Sequence, residues 1–306
     1  MGKRGLVSKI QRYSTKDGPG IRSTTFLVGC NLNCKWCANP ELIASKPQLL
    51  YYQTRCEGCG TCVSVGSCGS IKLLGKFGGT CSIDRAGLDN IDEVVACCPY
   101  DAYEALGYYI EAENLAEKLL RDKIFYDRSG GGVTFSGGEP CLQADFVRET
   151  AGLLRAEGVN TALDTAGCVP WETLAEVLPE IDIVLCDIKA FDETLHIELT
   201  GAGNELILRN IKRIAETGKR LFIRLVLIPG INDALDETDA KIEFIAGLGA
   251  SAERVDILPY HRLGLGKYRH LGLRYELADI PECPKGLAED VARKAEKLGI
   301  PVYVGG

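Results

Sequence analysis

Three thiols stand close together near the amino end, in Cys30-Asn31-Leu32-Asn33-Cys34-Lys35-Trp36-Cys37, directly after the apolar run Ile21–Val28. A loop of that length can wrap one metal centre, and it brings three ligands rather than four. An iron–sulfur cluster held by three thiolates keeps one iron open to an outside ligand, whereas a structural zinc ion asks for a fourth protein ligand, and Asn39 is a poor one. A zinc knuckle, or thiols that merely pack, is the competing reading of the spacing alone. The rest of the chain bears on this choice. It has 14 cysteines in 306 residues, and its start, Met1-Gly2-Lys3-Arg4, leads into mixed polar sequence without a signal-peptide core. No apolar run approaches the roughly 20 residues that span a bilayer. We therefore expect a cytoplasmic, reducing setting with no membrane partner, where clustered thiols are metal ligands or reactive groups before they are disulfides.

A second group of cysteines lies in residues 50–108, a glycine-rich stretch with no strong helical pattern that reads as an inserted metal-binding subdomain. Two-cluster bacterial ferredoxins repeat C-x2-C-x2-C-x3-C-P, and the last cysteine of each run serves the cluster of the other run. Here Cys56, Cys59 and Cys62 open one run and Cys98-Pro99 ends the other, which completes one set of four. The positions of a second set hold Gly66, Leu88, Ile91 and Val94. All four are lost together, so the expectation is one auxiliary [4Fe–4S] cluster on Cys56, Cys59, Cys62 and Cys98. Cys68, Cys81 and Cys97 are the thiols that could restore a ligand. Cys141, Cys168, Cys186 and Cys283 read as packed core thiols, since free cysteine behaves as a small hydrophobe.

The elements that must position these residues follow from the apolar rhythm. From residue 111 onward, β-branched runs at about 131–136, 159–164, 181–188, 220–228, 254–259 and 300–304 alternate with helix-period segments, the pattern of βα units around a parallel sheet. Those segments are Gln143–Glu157, Trp171–Leu178, Glu205–Thr217, Leu235–Gly247 and Pro284–Leu298. With Ile21–Val28 as an earlier strand, this is an α/β fold, an open or partial (β/α)6-type barrel over residues 1–49 and 109–306. Composition agrees, because 46% apolar residues can bury a large core. The 35 basic against 42 acidic residues, net −7, argue against a nucleic-acid partner held by phosphate contacts.

Functional side chains in such folds gather at the carboxyl ends of strands. Gly137-Gly138-Glu139 closes one strand, and its glycines would let a ligand approach backbone N–H groups. Asp164-Thr165 and Asp187-Ile188-Lys189 close two more; together they could hold a cation or a zwitterion, against the plainer reading of salt bridges. Arg224 interrupts the run Leu221–Val226, where a charge is costly unless paired. Strand alternation points it inward, opposite Ile223. His261 follows a further strand, and His196 and His270 read as surface or supporting residues.

The C-x3-C-x2-C loop, with Trp36 before its last cysteine, resembles the signature of radical S-adenosylmethionine (SAM) enzymes. Asp17-Gly18-Pro19-Gly20-Ile21-Arg22 and Trp36-Cys37-Ala38-Asn39-Pro40-Glu41 make the chain similar to the glycyl radical enzyme activating enzymes, of the type with an inserted ferredoxin-like domain. The resemblance resumes at residue 111 and runs to the carboxyl end. It implies a [4Fe–4S] cluster on Cys30, Cys34 and Cys37 whose open iron is chelated by SAM. The implied reaction is reductive cleavage of SAM to methionine and a 5′-deoxyadenosyl radical, which takes a hydrogen atom from a backbone glycine of a partner glycyl radical enzyme. The electron donor would be a flavodoxin or ferredoxin. By the same resemblance Trp36, Gly137, Gly138, Glu139, Lys189, Arg224 and His261 contact SAM, with Lys189 nearest the chemistry. Asp164, Thr165 and Asp187 match a monovalent-cation site, with a carbonyl of Leu185 where a relative has methionine, and Asp17 matches a contact to the partner's glycine loop. The insert makes pyruvate formate-lyase a poor candidate for the partner. Two other functions compete: a radical SAM enzyme acting on a small molecule or peptide, and an electron-transfer ferredoxin, which leaves Asp187, Lys189, Arg224 and His261 unexplained.

Overall fold

Uninterrupted β-branched runs suit strands covered on both faces, as in a parallel sheet flanked by helices. Ile183–Ile188, buried along its whole length, shows this most fully. The structure is a computed structural model and describes residues 2–75 and 79–305. Its strands are β1 (Arg4–Ser14), β2 (Arg22–Leu27), β3 (Gln48–Tyr51), β4 (Ile71–Leu74), β5 (Thr80–Ile83), β6 (Tyr103–Leu106) and β7 (Tyr108–Glu111) in the first part of the chain. β8 (Gly132–Gly137), β9 (Asn160–Thr165), β10 (Ile183–Ile188), β11 (Arg220–Leu227), β12 (Ala252–Pro259) and β13 (Val302–Val304) follow. One nine-stranded sheet runs β13-β12-β11-β10-β9-β8-β2-β1-β7. Every pairing from β2 to β13 is parallel, while β1 and β7 extend the edge in antiparallel sense. This is the partial barrel that the alternation implies. Lys16, just past β1, reaches towards the opposite edge of the sheet, where its Nζ donates to the carbonyl of Gly305 at 2.9 Å.

Helices Ala144–Ala156, Trp171–Val177, Glu205–Glu216, Leu235–Gly247 and Lys285–Glu296 cover the sheet, close to the ranges read from sequence. In Glu205–Glu216 the stripe Ile207, Ile211 and Ile214 is buried, and each such side chain contributes roughly 1.5–3 kcal/mol of hydrophobic stabilisation. Helices Lys123–Ser129, Glu193–Thr200 and Leu265–Leu271 escape the sequence reading because each is short and lacks a clean apolar stripe. β1 escapes it because Lys9, Gln11 and Arg12 make most of its outer half polar. His196 is not a surface residue: it is 1% exposed, and its Nδ1 lies 2.6 Å from the Ala202 carbonyl, which closes the turn after helix Glu193–Thr200.

The insert has its own core, with Leu49, Ile71, Leu88, Val94 and Tyr103 buried together. Antiparallel β3 and β6, spanning Gln48–Tyr51 and Tyr103–Leu106, close it, and Tyr108 pairs with Val7 in the main sheet. Two short helices, Thr61–Val65 and Ile91–Cys97, stand where no helical pattern is legible. Leu88 and Val94 are buried, and a Cβ on Gly66 would lie 3.0 Å from the Ile71 side chain. Arg85 ties the insert to the barrel by donating to the His270 carbonyl at 2.9 Å, and Tyr52 packs on the His270 ring.

Candidate active site

The cysteine loop leaves β2 at Leu27 and is pinned at both ends by backbone hydrogen bonds. Cys30 N donates to Ile43 O at 3.0 Å, Asn33 N to Thr200 O at 2.8 Å and Lys35 N to Leu199 O at 3.0 Å. Leu32, 3% exposed, anchors the middle. Cys30, Cys34 and Cys37 therefore face one cavity of about 260 Å³ together with Trp36. The N–H of Leu32 points to Cys30 Sγ (3.5 Å) and that of Asn39 to Cys37 Sγ (3.4 Å), donors that suit thiolate ligands. Burial pushes the Cys30 thiol up to about 11 and Cys37 up to about 12, so metal binding must displace protons from both. No three His, Cys, Asp or Glu side chains among the described residues converge as closely as a single bare ion requires. Three thiols facing one cavity are the number of protein ligands that leaves a cubane cluster one open iron.

Across the cavity, three strand ends bring together Asp164 (β9), Asp187 and Lys189 (at and after β10) and Arg224 (β11), all lining the same space. The register explains the meeting, because Asp187 sits beside Arg224 and Asp164 beside Leu185 in adjacent strands. Asp187 is the hub: Lys189 Nζ donates to its Oδ2 at 2.7 Å and Arg224 Nε to its Oδ1 at 2.8 Å. The other arm of the Arg224 guanidinium donates to Asp164, whose second oxygen accepts from Ser136 Oγ at 2.6 Å. Burial opposes ionisation of Asp187, but Arg224 and Lys189 outweigh it and hold its carboxyl down at about 2. Burial likewise works against the charge on Lys189, and Asp187 and Cys34 overcome it to raise the ammonium above its ordinary range. Two carboxylates and two cations make the network neutral. It can therefore exchange internal ion pairs for those of a bound zwitterion without burying an unpaired charge.

Several expected site residues lie elsewhere. Glu139 does not face the cavity: fully buried, it accepts from Thr165 Oγ1 at 2.8 Å, Ala166 N at 3.0 Å and Cys141 N at 3.1 Å. It is a brace between β8 and β9, and it also turns the Thr165 hydroxyl away from the cavity. Gly137 and Gly138 do line the cavity, but their N–H groups are not all free, since Gly138 N donates to Leu27 O at 2.9 Å; the next N–H, of Glu139, donates to Gly29 O at 2.8 Å. The demand for glycine comes from close packing, because a Cβ at Gly138 would meet Gly29 O at 2.1 Å. Arg224 lies between Asp164 and Asp187, so no cation cage is preformed there. His261 lines the mouth, its Nδ1 accepting from Leu263 N at 3.3 Å. Asp17 lies off the cavity, half-buried, its Oδ2 accepting from Ser14 Oγ and Thr24 Oγ1, each at 2.6 Å.

Sequence reasoning missed Ser136, Tyr260 and Lys267. Lys267 Nζ donates to Asn39 Oδ1 at 2.5 Å and Glu41 Oε1 at 2.6 Å, which ties helix Leu265–Leu271 to the far end of the cysteine loop. Nothing local marks Lys267, since its partners lie more than 200 residues away in sequence. In the insert, Cys56, Cys59, Cys62 and Cys98 line a second, smaller hollow, and Cys81 of β5 lines it with them. Cys68 is exposed and Cys97 donates to the Val94 carbonyl, so neither joins that group.

A parallel partial barrel with a three-thiol loop and a charged network at its carboxyl mouth defines a class, and the comparisons agree on it. A family model described as the Radical SAM superfamily matches residues 81–242. That span begins inside the insert, which parts the cysteine loop from the rest of the barrel, but several relatives match almost the whole chain. The (2S)-3-sulfopropanediol dehydratase activating enzyme of Klebsiella oxytoca is 34% identical, over 98% of this chain and 97% of its own. The trans-4-hydroxy-L-proline dehydratase activating enzyme of Clostridioides difficile is 36% identical, over 98% and 99%. The choline trimethylamine-lyase activating enzyme of Oleidesulfovibrio alaskensis is 34% identical, over 99% and 98%. Among solved structures, a domain of a pyruvate-formate lyase-activating enzyme from Bacteroides vulgatus superposes with a TM-score of 0.50 at 30% identity, covering 58% of this chain and all of that one. A radical SAM methyltransferase from Sphaerobacter thermophilus shares the fold, with a TM-score of 0.52 at 16% identity over 97% of this chain and 76% of its own. The chain belongs to the radical SAM superfamily and, within it, to the activating enzymes of glycyl radical enzymes. It is an enzyme whose class uses a [4Fe–4S] cluster and SAM, and none of its described helices is long and apolar enough to cross a membrane.

Proposed function

We propose that this chain activates a partner glycyl radical enzyme by removing a hydrogen atom from one of its backbone glycines. The observation that carries the reading is the single cavity shared by Cys30, Cys34, Cys37 and the Asp164–Arg224–Asp187–Lys189 network, in a chain that matches activating enzymes along its full length. Cys30, Cys34 and Cys37 would hold the cluster, which, once reduced by an external donor, would supply the one electron needed for reductive cleavage of SAM and so the radical chemistry that removes the glycine hydrogen. The protein's own residues bind and orient. Arg224 and Lys189 offer cations to a carboxylate, Gly137 and Gly138 offer carbonyls to an ammonium, and Trp36 and His261 flank the mouth. A monovalent cation beside Asp164, Asp187 and the Leu185 carbonyl would take one carboxylate from Arg224. The Asp17 turn is our candidate for the surface that receives the partner's glycine segment, as a neighbour of the cavity rather than part of its lining. The insert reads as a ferredoxin-like carrier of one auxiliary [4Fe–4S] cluster on Cys56, Cys59, Cys62 and Cys98, fed by a flavodoxin or ferredoxin. The test is anoxic incubation of the reconstituted protein with SAM, reductant and each candidate glycyl radical enzyme in turn. A glycyl radical in the EPR spectrum of one of them supports the reading; SAM-dependent turnover of a free metabolite without any partner overturns it.

A further inference from the structure

The hollow in the insert contains five thiols, one more than a cubane cluster takes from protein. Cys81 is 8% exposed and its Sγ lies 3.6 Å from Cys62 Sγ. Two thiolates on one tetrahedral metal ion would stand roughly 3.8 Å apart, from bonds of about 2.3 Å. In a cubane, however, each iron takes a single protein thiolate, and thiolates on different irons are separated by the iron–iron edge as well. Cys62 and Cys81 are too close to hold two corners. Cys62 is the member that continues the run from Cys56 and Cys59, so Cys81 is left outside the ligand set but in contact with it. Cys62 has a second neighbour of the same kind, since Tyr103 Oη donates to its Sγ at 3.2 Å. Both neighbours are held from behind. The Cys81 backbone N–H donates to Tyr51 Oη at 2.9 Å, and the Tyr51 and Tyr103 rings stack with centroids 5.3 Å apart.

Resting on the reading of the insert as a cluster carrier, we propose that Cys81 is a non-ligating thiol that, with Tyr103, donates a hydrogen bond to the Cys62 ligand and raises the reduction potential of the auxiliary cluster. Negative charge gathers on the sulfurs when a cluster is reduced, so a donor at a ligand sulfur favours the reduced form. The assay uses the full-length chain carrying Cys30→Ala, Cys34→Ala and Cys37→Ala, so that only insert iron remains, and reads iron per chain and the midpoint potential by EPR-monitored titration. Cys81→Ala and Tyr103→Phe should each keep about four irons. Each should also lower the reduced-to-oxidised ratio at fixed potential roughly tenfold, about 59 mV for one electron. Cys81→Ser keeps a donor and should lie between Cys81→Ala and the parent, which guards against a cavity effect. Loss of iron in Cys81→Ala and Cys81→Ser would make Cys81 a ligand and overturn the proposal, as would iron retained with an unmoved potential. A parent that holds no iron would instead refute the reading of the insert on which the proposal rests.

Discussion

Asp187 and Lys189 should be strongly coupled, because Asp187 is the carboxylate with which the buried Lys189 ammonium pairs. Their side chains are 12% and 11% exposed and meet at 2.7 Å. Removing Asp187 by Asp187→Asn leaves Lys189 buried without its carboxylate, a change that costs about 3–5 kcal/mol when a buried pair is broken from one side. Removing both charges, in Asp187→Asn with Lys189→Met, deletes the unpaired ammonium along with its partner. The double variant should therefore be less damaged than the sum of the singles, with a coupling of about 2 kcal/mol or more. Urea unfolding of the metal-free protein under anoxic conditions measures all four corners of the cycle. Acid gives an independent check. Because the Asp187 carboxyl is held at about 2 instead of the ordinary 3.8, its pairing supplies about 2 kcal/mol that is fully present above pH 4 and is lost as the pH falls towards 2. Asp187→Asn should lack that acid-side loss. If the singles and the double are additive within about 0.5 kcal/mol, the network is no ion-pair hub and the argument from burial is wrong.

Gly138→Ala should destabilise the protein by about 2 kcal/mol or more and loosen the cysteine loop, because the new methyl would sit 2.1 Å from the Gly29 carbonyl; thermal unfolding with an unchanged midpoint would refute this. Asp17→Ala should leave partner-free SAM cleavage nearly intact while lowering glycyl radical yield, whereas Asp187→Ala should weaken both SAM binding and cleavage. Equal impairment of uncoupled cleavage, followed as 5′-deoxyadenosine, would move Asp17 into the cofactor site. Reconstituted protein should hold about eight irons, two cubane clusters from the ligand count. About twelve would mean a third cluster, against the packed Leu88 and Val94, and about four would leave the insert without one.

The parallel strands were legible because their apolar runs are long, and Arg224 stood out as a charge inside such a run. The same logic located Asp164, Asp187 and Lys189, since strand ends in this fold share one mouth. What could not be read was direction over short distances. Glu139 and Gly138 are neighbours in sequence, yet the glycine lines the cavity and the carboxylate turns behind the wall to meet Thr165 and Ala166. Long-range polar ties such as Lys267 to Glu41 leave no periodic trace either. The insert shows both sides of this. That Gly66, Leu88, Ile91 and Val94 are not cysteines was visible by counting, while the place of Cys81 beside Cys62 depends on the pairing of β4 with β5.

The most direct test of the account is the triple replacement of Cys30, Cys34 and Cys37 by Ala, assayed anoxically for 5′-deoxyadenosine in the presence of SAM and reductant. The two cysteine groups occupy separate hollows, so the variant should form none while the insert cluster remains visible by EPR. Continued 5′-deoxyadenosine production by that variant would contradict the assignment of the catalytic centre to this loop.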